Sequence, residues 1–173
     1  MSKTLIAFFS RRGENYVGYS KQYIKVGHTE VAAEMCKELT GADIFNIAMK
    51  KPYSDEYDVC MRESKDDYNN NARPELRDLP ESIDEYDTII LAYPNYWNTM
   101  PMAVFTFLEA FDFSNKKILP LCTNEGNDLG RSIEDIKKIC RNSSVAIGLS
   151  LSGSGVENSQ KHIENWLTEN GVI

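Results

Sequence analysis

The sequence predicts an α/β protein in three layers, a doubly wound parallel sheet of five strands with helices on both faces. Three observations support this. Five short apolar runs are nearly continuous rather than alternating, as in strands covered on both faces. Helical patterns separate these runs, and strands that alternate with helices form parallel sheets through right-handed crossovers. Three of the runs end in loops of small, polar and aromatic residues, at 10–29, 94–101 and 123–131.

The five strands follow from runs rich in Ile, Leu, Val and Phe. We predict them at residues 4–9, 43–47, 88–93, 117–122 and 144–149. In an open parallel sheet the carboxyl ends of the strands lie along one edge, so the three loops are expected to converge on one ligand-binding crevice.

The helices follow from apolar residues at helical spacing. The first is predicted at 30–39 and ends before Gly41, and the third at 102–111 begins after Pro101. The fourth is expected around 133–140, and the fifth from about 156 to a stop near Gly171. A stripe through a charged segment predicts the second helix, and its members are Tyr53, Tyr57, Cys60, Met61, Ser64 and Tyr68.

Composition favours one domain over residues 1–173 and a cytoplasmic location. The apolar run near the start is too short for a signal peptide, and no stretch reaches the ~20 apolar residues that cross a bilayer. The four cysteines lie far apart without metal-ligand spacing, so free thiols and no metal site are expected. A net charge of −7 disfavours nucleic acid and favours a basic protein partner, although it is equally consistent with a role in solubility alone.

The first loop has features of a phosphate site. A helix amino terminus offers unpaired N–H groups to an anion, and Ser10, Thr29 and Asn15 would add polar side chains. Gly27 would let the backbone approach the anion, and His28 would donate a further hydrogen bond. Thr29 and Gly27 are equally consistent with an ordinary helix start and turn. Arg11 and Arg12 are more often found in surface ion pairs.

The second loop, PNYWNTMP at 94–101, has features of a site for a flat ring. Tyr96 or Trp97 would stack on a heteroaromatic ring, and Asn98 tolerates the positive φ of a tight turn. The alternative is that the two aromatic side chains cap the core or form a subunit contact. In the third loop Thr123, Glu125, Gly126 and Arg131 would approach a ring edge, although Glu125 is equally consistent with a solvent-facing position.

Assembled in order, these blocks resemble the flavodoxin-like family, in the branch with a long insertion in the first loop. The resemblance covers nearly the whole chain and rests on SRRGENY, GHTEVAAEM, KPYSDEYD, NNARPEL, YPNYWNTMPMAVFTFLE and CTNEGNDLGRS. It implies a strand order of 2-1-3-4-5 and one noncovalent FMN per chain.

The resemblance also implies a set of cofactor-binding residues. They are Ser10, Arg12, Asn15, Gly27, His28, Thr29, Pro94, Asn95, Tyr96, Trp97, Asn98, Thr99, Met100, Thr123, Glu125, Gly126 and Arg131. Three features depart from the family pattern. The phosphate loop is split between Ser10 and Gly27, His28 stands where asparagine is common, and Asn98 stands where glycine is usual.

Two functions fit these expectations. In the first, the protein transfers electrons through FMN to a redox protein, and no side chain is catalytic. In the second, it is an FMN-dependent NAD(P)H oxidoreductase acting on a quinone or nitro compound. A cofactor-free interaction module is a third possibility, and the chain is expected to be a monomer or homodimer. A phosphatase with the C-x5-R motif is disfavoured because Arg131 lies nine positions after Cys122. A response-regulator receiver domain is disfavoured because the aspartates that it requires are absent.

Overall fold

A computed structural model describes residues 2–173 and has the predicted parallel sheet at its centre. Its main strands are β1 (Thr4–Phe8), β4 (Asp43–Asn46), β5 (Thr88–Pro94), β6 (Lys117–Asn124), β7 (Ser144–Val145) and β8 (Leu149–Ser152). The order along the sheet is β4-β1-β5-β6-β7, and β8 also pairs with β6. All of these pairings are parallel. The predicted order 2-1-3-4-5 is therefore confirmed, with the fifth position shared by two short strands.

The fifth strand position is broken where a continuous strand was expected. β7 pairs with Ile118 and its neighbour at the start of β6, whereas β8 pairs with the end of β6 from Leu121 onward. Residues 146–148 lie between them outside any strand. The side chain of Trp166 reaches this gap, and its Nε1 donates a hydrogen bond to the Ile147 carbonyl at 3.0 Å. The indole thus pairs with the Ile147 carbonyl, which has no partner in the sheet at this break.

Five α-helices cover the sheet, as predicted. They are α1 (His28–Thr40), α2 (Tyr57–Asn69), α3 (Met102–Glu109), α4 (Ser132–Ile139) and α5 (Gln160–Glu169), and a short 3-10 turn, Val156–Asn158, precedes α5. α1 and α5 pack on one face around Ile6, Ile90 and Leu121. α3 and α4 pack on the other face around Leu5, Leu91 and Ile118. Among residues 2–173, none of the helices is both long and apolar enough to cross a bilayer.

Two helix boundaries differ from the prediction. Tyr53 lies before α2, because Ser54 and Glu56 form a turn in which the Glu56 N–H donates to Ser54 Oγ at 3.1 Å. The fifth helix is interrupted near Ser159, between the 3-10 turn and α5. The bond to the Ser54 side chain replaces the helix that apolar spacing predicted at the first place. At the second, the Ser159 N–H donates to the Val156 carbonyl at 3.0 Å and closes the 3-10 turn.

Residues 13–24, predicted as part of the first loop, form an antiparallel hairpin. β2 (Gly13–Val17) pairs with β3 (Ser20–Ile24). The two-residue connection has a positive φ of 67° at Gly18 only, which is the arrangement of a type II′ turn. The hairpin forms a sheet of its own, off the main sheet and beside α2.

All four cysteines are free and buried, which confirms the prediction of unpaired thiols. Burial raises the pKa of Cys36, Cys122 and Cys140 to about 12 in each case. These thiols therefore stay protonated at neutral pH and act as small apolar core groups.

Candidate functional site

A cleft of about 520 Å³ opens at the carboxyl edge of the sheet, where the three loops converge as predicted. This volume is within the usual range for small-molecule sites. Eleven of the predicted site residues line it. They are Ser10, Asn15, His28, Thr29, Pro94, Asn95, Tyr96, Trp97, Asn98, Thr123 and Glu125.

One end of the cleft, called the helix end below, is formed by the start of α1 with Ser10 and Thr123. Ser10 Oγ accepts a hydrogen bond from the Glu30 N–H at 3.1 Å. The hydroxyls of Thr29 and Thr123 lie 2.7 Å apart and are buried. The N–H groups of the first helical turn have no acceptor in an earlier turn, so this end is suited to an anion.

Gly27 permits the close packing of the first loop on the start of α1. A Cβ at this position would overlap Ser10 Oγ and lie 2.7 Å from the Arg11 carbonyl oxygen. Gly27 is buried and precedes α1 with an extended backbone. It therefore acts by keeping Ser10 against the helix and does not itself line the cleft.

His28 is the first residue of α1 and is half-buried at the same end. Its imidazole lies against Gly153, where a Cβ would overlap Nδ1 and lie 2.8 Å from Glu125 Oε1. Glu125 Oε1 accepts a hydrogen bond from the Ser154 N–H at 2.7 Å. Burial lowers the pKa of His28, and the opposing effect of Glu125 and Glu157 is smaller. The imidazole is therefore mostly neutral at pH 7.

The other end, called the turn end, is a tight turn at Tyr96–Thr99. The Tyr96 N–H donates to the Thr99 carbonyl at 2.9 Å, and the Thr99 N–H donates back to the Tyr96 carbonyl at 3.1 Å. Trp97 and Asn98 have φ values of 55° and 69°. The positive φ predicted for Asn98 is confirmed, and two such residues in succession are typical of a type I′ turn.

The two aromatic residues of the turn are anchored on different neighbours. Tyr96 packs edge-on against Phe9, with ring centroids 6.0 Å apart. Trp97 Nε1 donates to the buried Ser64 Oγ at 3.0 Å, and Lys65 Nζ lies 4.3 Å from the Trp97 ring centroid. Both aromatic residues still line the cleft. Burial raises the pKa of Tyr96 well above its ordinary value, so it remains a phenol.

The third loop fixes the turn from behind. The Arg131 N–H donates to the Asn98 carbonyl at 2.8 Å, and Thr99 Oγ1 donates to Asp135 Oδ2 at 2.5 Å. Gly130 makes this approach possible, because a Cβ there would overlap the Asn98 carbonyl oxygen. The Asn98 carbonyl is thus paired within the protein.

The hairpin forms a third side of the cleft. Tyr16 lies edge-on to Tyr57 of α2, with centroids 4.9 Å apart, and both line the cleft. Glu14 Oε1 accepts from the Tyr57 N–H at 3.0 Å, and the Glu14 N–H donates to the Asp55 carbonyl at 2.8 Å. These bonds attach the hairpin to the start of α2.

Six predicted site residues lie outside the cleft lining. Arg12 is exposed, and its neighbour Arg11 lines the cleft instead, with Nη2 donating to the Ser54 carbonyl at 2.7 Å. Thr99 and Met100 are fully buried behind the turn. Gly126 is exposed, and its N–H donates to Asn124 Oδ1 at 3.0 Å. Gly27 and Arg131 contribute through the contacts described above.

Sequence reasoning missed ten residues of the lining. They are Arg11, Tyr16, Gly18, Tyr57, Cys60, Met61, Ser64, Asn124, Asn127 and Gly153. Four belong to α2, whose apolar stripe was recognised but assigned only to helix packing. Three others, Arg11, Tyr16 and Gly18, belong to the first loop and its hairpin. Predicting them requires the position of the hairpin, which no short-range sequence pattern indicates.

A family model described as Flavodoxin matches residues 16–170. A candidate flavoprotein of known structure from Bacteroides eggerthii DSM 20697 is 26% identical with full coverage of both chains and a TM-score of 0.80. No curated protein matches the chain.

Two further structures share the fold at lower identity. A flavoprotein from Lactobacillus acidophilus NCFM, solved in complex with FMN, is 16% identical over 91% of this chain and 98% of its own, with a TM-score of 0.63. Oxidised flavodoxin 2 from Bacillus cereus is 14% identical over 97% and 99%, with a TM-score of 0.53.

Proposed function

We propose a function for this chain, which belongs to the flavodoxin family. In this proposal the protein holds one FMN noncovalently in the cleft and transfers electrons through it. The observation that supports this most directly is that one cleft joins an anion-binding helix start to an aromatic turn. A phosphorylated, planar cofactor needs these two features together.

The residues of the cleft fit FMN by their chemistry. The helix end offers first-turn N–H groups and hydroxyls to a phosphate. The turn end offers Tyr96 and Trp97, and the neighbouring thiol of Cys60 stays protonated because burial raises its pKa. When bound, the flavin would supply the redox chemistry, and the protein would orient the ring and shield one edge from water.

The protein's charge suits a carrier that meets a basic redox partner. The net charge is −7, and an acidic surface accelerates encounters with a positively charged protein. The four free thiols fit a reducing compartment such as the cytoplasm.

A second candidate is an FMN-dependent NAD(P)H oxidoreductase for quinones or nitro compounds. The rim formed by Tyr16, Tyr57 and Met61 favours it, because these residues line the cleft and offer apolar faces to a flat second ligand. Met61 and Tyr16 are 41% and 39% exposed. Such a reductase needs no separate dinucleotide site if the nicotinamide stacks directly on the flavin.

The binding test is gel filtration of the purified protein after addition of excess FMN. Two visible flavin bands that co-elute with the chain, at one FMN per chain, are expected. A colourless protein that also gives no heat of association with FMN would overturn the proposal.

The second test separates the two functions in the FMN-loaded protein. NADPH oxidation with a quinone acceptor should be negligible for a carrier, and many turnovers per second would indicate the reductase. The matched variant is Tyr16→Ala, because loss of this rim residue should slow quinone turnover in a reductase and leave a carrier's electron transfer to a protein acceptor unchanged.

A further inference from the structure

We propose that His28 couples binding of the FMN phosphate to the uptake of one proton, so that the cleft discriminates FMN from riboflavin more strongly as pH falls. The inference rests on the proposed function, because it concerns the same site. It assigns to a single side chain of this protein a role in ligand specificity.

Three hydroxyl groups lie at the helix end together with His28. Ser10 Oγ is paired with the Glu30 N–H, and the Thr29 and Thr123 hydroxyls are paired with each other. Hydroxyl groups of this kind keep the same charge at any physiological pH. His28 is therefore the group at this end whose charge changes between pH 5 and 8.

The backbone of a glycine fixes the position of the His28 imidazole. His28 opens α1, lines the cleft and is half-buried against the backbone of Gly153. Since Gly153 has no side chain, the ring occupies space that a Cβ would fill. The imidazole is thus held at the helix end of the cleft, beside the start of α1.

Glutamates from two neighbouring elements act on His28. Glu125 from the β6–α4 loop and Glu157 from the 3-10 turn raise its pKa, but burial has the larger effect and lowers it. Glu30 lies on the same helix, two positions away. Arg11, from the first loop, lines the same cleft, but its guanidinium donates to the Ser54 and Glu14 carbonyls.

The consequence follows from linkage. A phosphate dianion beside the imidazole favours the charged form, so the pKa of His28 rises on binding. The ring nitrogen takes its proton from solvent, a new N–H bond forms, and nothing is oxidised or reduced. FMN affinity should therefore increase as pH falls through the pKa that His28 has in the complex. It should level off below the pKa that His28 has in the free protein.

The experiment is calorimetric titration with FMN and with riboflavin at pH 7.0, in two buffers that differ in ionisation enthalpy. We expect uptake of a measurable fraction of a proton with FMN and none with riboflavin. From pH 8.0 to 6.5 the ratio of the riboflavin to the FMN dissociation constant should rise at least about threefold. The phosphate remains largely dianionic in this range because its second pKa is near 6.

The variants are His28→Asn, which keeps a donor without a titratable charge, and His162→Asn. His162 is the other histidine of the sequence and is exposed on α5. Proton uptake should disappear in the first variant and persist in the second. FMN binding without proton uptake, or equal uptake in His28→Asn and the wild type, would overturn the inference and leave the proposed function intact.

A second measurement covers the case in which His28→Asn does not fold. The two histidine ring signals of the wild-type protein can be followed by NMR through a pH titration, with His162→Asn providing the assignment. The His28 signal should titrate at a higher pH with FMN bound than without it. An unchanged midpoint would overturn the inference, whereas failure of both flavins to bind would overturn the proposed function.

Discussion

The helix end and the turn end of the cleft are built in different ways. The turn end is fixed by residues distant in sequence, since Ser64 holds Trp97 and the Arg131 N–H holds the Asn98 carbonyl. The helix end presents backbone N–H groups at the start of α1, and Ser10, Thr123 and Gly153 pack against that start. Tertiary contacts hold both ends, but the turn end offers aromatic faces and the helix end offers polar groups suited to an anion.

Because of this difference, affinity for the flavin ring and selectivity for the phosphate should depend on different ends of the cleft. A rigid turn end should contribute similarly to every ligand that has an isoalloxazine ring, with or without a phosphate. The helix end should act only on phosphorylated ligands. Comparing FMN with riboflavin in each variant therefore reports which end has been disturbed.

The largest effect is expected for Gly130→Ala, which disturbs the turn end. Its φ of 54° costs an alanine about 1 to 2 kcal/mol, and the new methyl group would overlap the Asn98 carbonyl. We expect a loss of about 3 kcal/mol in unfolding free energy, measured by urea denaturation, and weaker binding of both flavins. Gly41→Ala is the control, because its φ is 66° but no atom lies within 4 Å. Equal losses in the two variants would contradict the packing argument.

Gly27→Ala should disturb the helix end. The backbone there already suits an alanine, so the cost comes from contact with Ser10 and Arg11 alone. We expect about 2 kcal/mol of destabilisation and a larger loss of affinity for FMN than for riboflavin, measured by calorimetry. Gly155→Ala, with nothing closer than 3.9 Å, should be near neutral. A parallel loss for both flavins would refute the division of the cleft into two ends.

Trp97→Ala tests the ring contact itself. Removing the indole should weaken FMN and riboflavin equally, by about 1 to 3 kcal/mol, because an aromatic face is lost from the cleft. Trp97→Phe, which keeps a ring but loses the donor to Ser64, should have a smaller effect. If FMN binds to Trp97→Ala as tightly as to the wild type, Trp97 does not contact the ring.

Glu14→Ala tests the attachment of the hairpin. It removes the acceptor of the Tyr57 N–H and should cost about 1 kcal/mol. Amide hydrogen exchange should accelerate in β2, β3 and the first turn of α2, while the main sheet stays protected. Glu38→Ala, an exposed position on α1, is the control and should leave the exchange pattern unchanged.

The smallest effect is a pH dependence of the ligand-free protein. The pKa of His28 is lowered by burial on folding, so below about pH 6.5 the unfolded chain binds more protons than the folded one. Wild-type stability should therefore fall as pH drops from 7.5 to 5.5 by more than that of His28→Asn, measured by thermal melting. If stability fell more steeply in His28→Asn than in the wild type, the predicted sign of this pH dependence would be wrong.

The main sheet was predictable because burial on both faces leaves a strong apolar signal. Runs such as Thr88–Pro94, in which six of seven residues are buried, have few interpretations other than a central strand. The hairpin was not predictable in this way, because β3 has four exposed residues of five. Its one local signal was Gly18 as the first residue of a two-residue turn.

At the site, the sequence predicted features that depend on the local backbone, such as the positive φ of Asn98. It missed features that depend on contacts with residues distant in sequence. Asn98 was expected to have a positive φ for steric reasons, and it has one. Arg12 was preferred over Arg11, but Arg11 turns inward to the carbonyls of Glu14 and Ser54, and Ser54 belongs to a distant loop. Ser64 was recognised on the α2 stripe, yet its bond to Trp97 depends on how α2 packs beside the turn.

The broken fifth strand also bears on self-association through sheet margins. A long, regular outer strand presents a row of free amides and carbonyls that can recruit another chain and begin a fibril. Here that margin offers two residues, then a gap whose Ile147 carbonyl is occupied by an indole, and then four residues. The opposite margin is only four residues long and exposes Asp43 and Asn46 at its ends. Neither border gives an incoming strand enough consecutive partners to seed cross-β stacking.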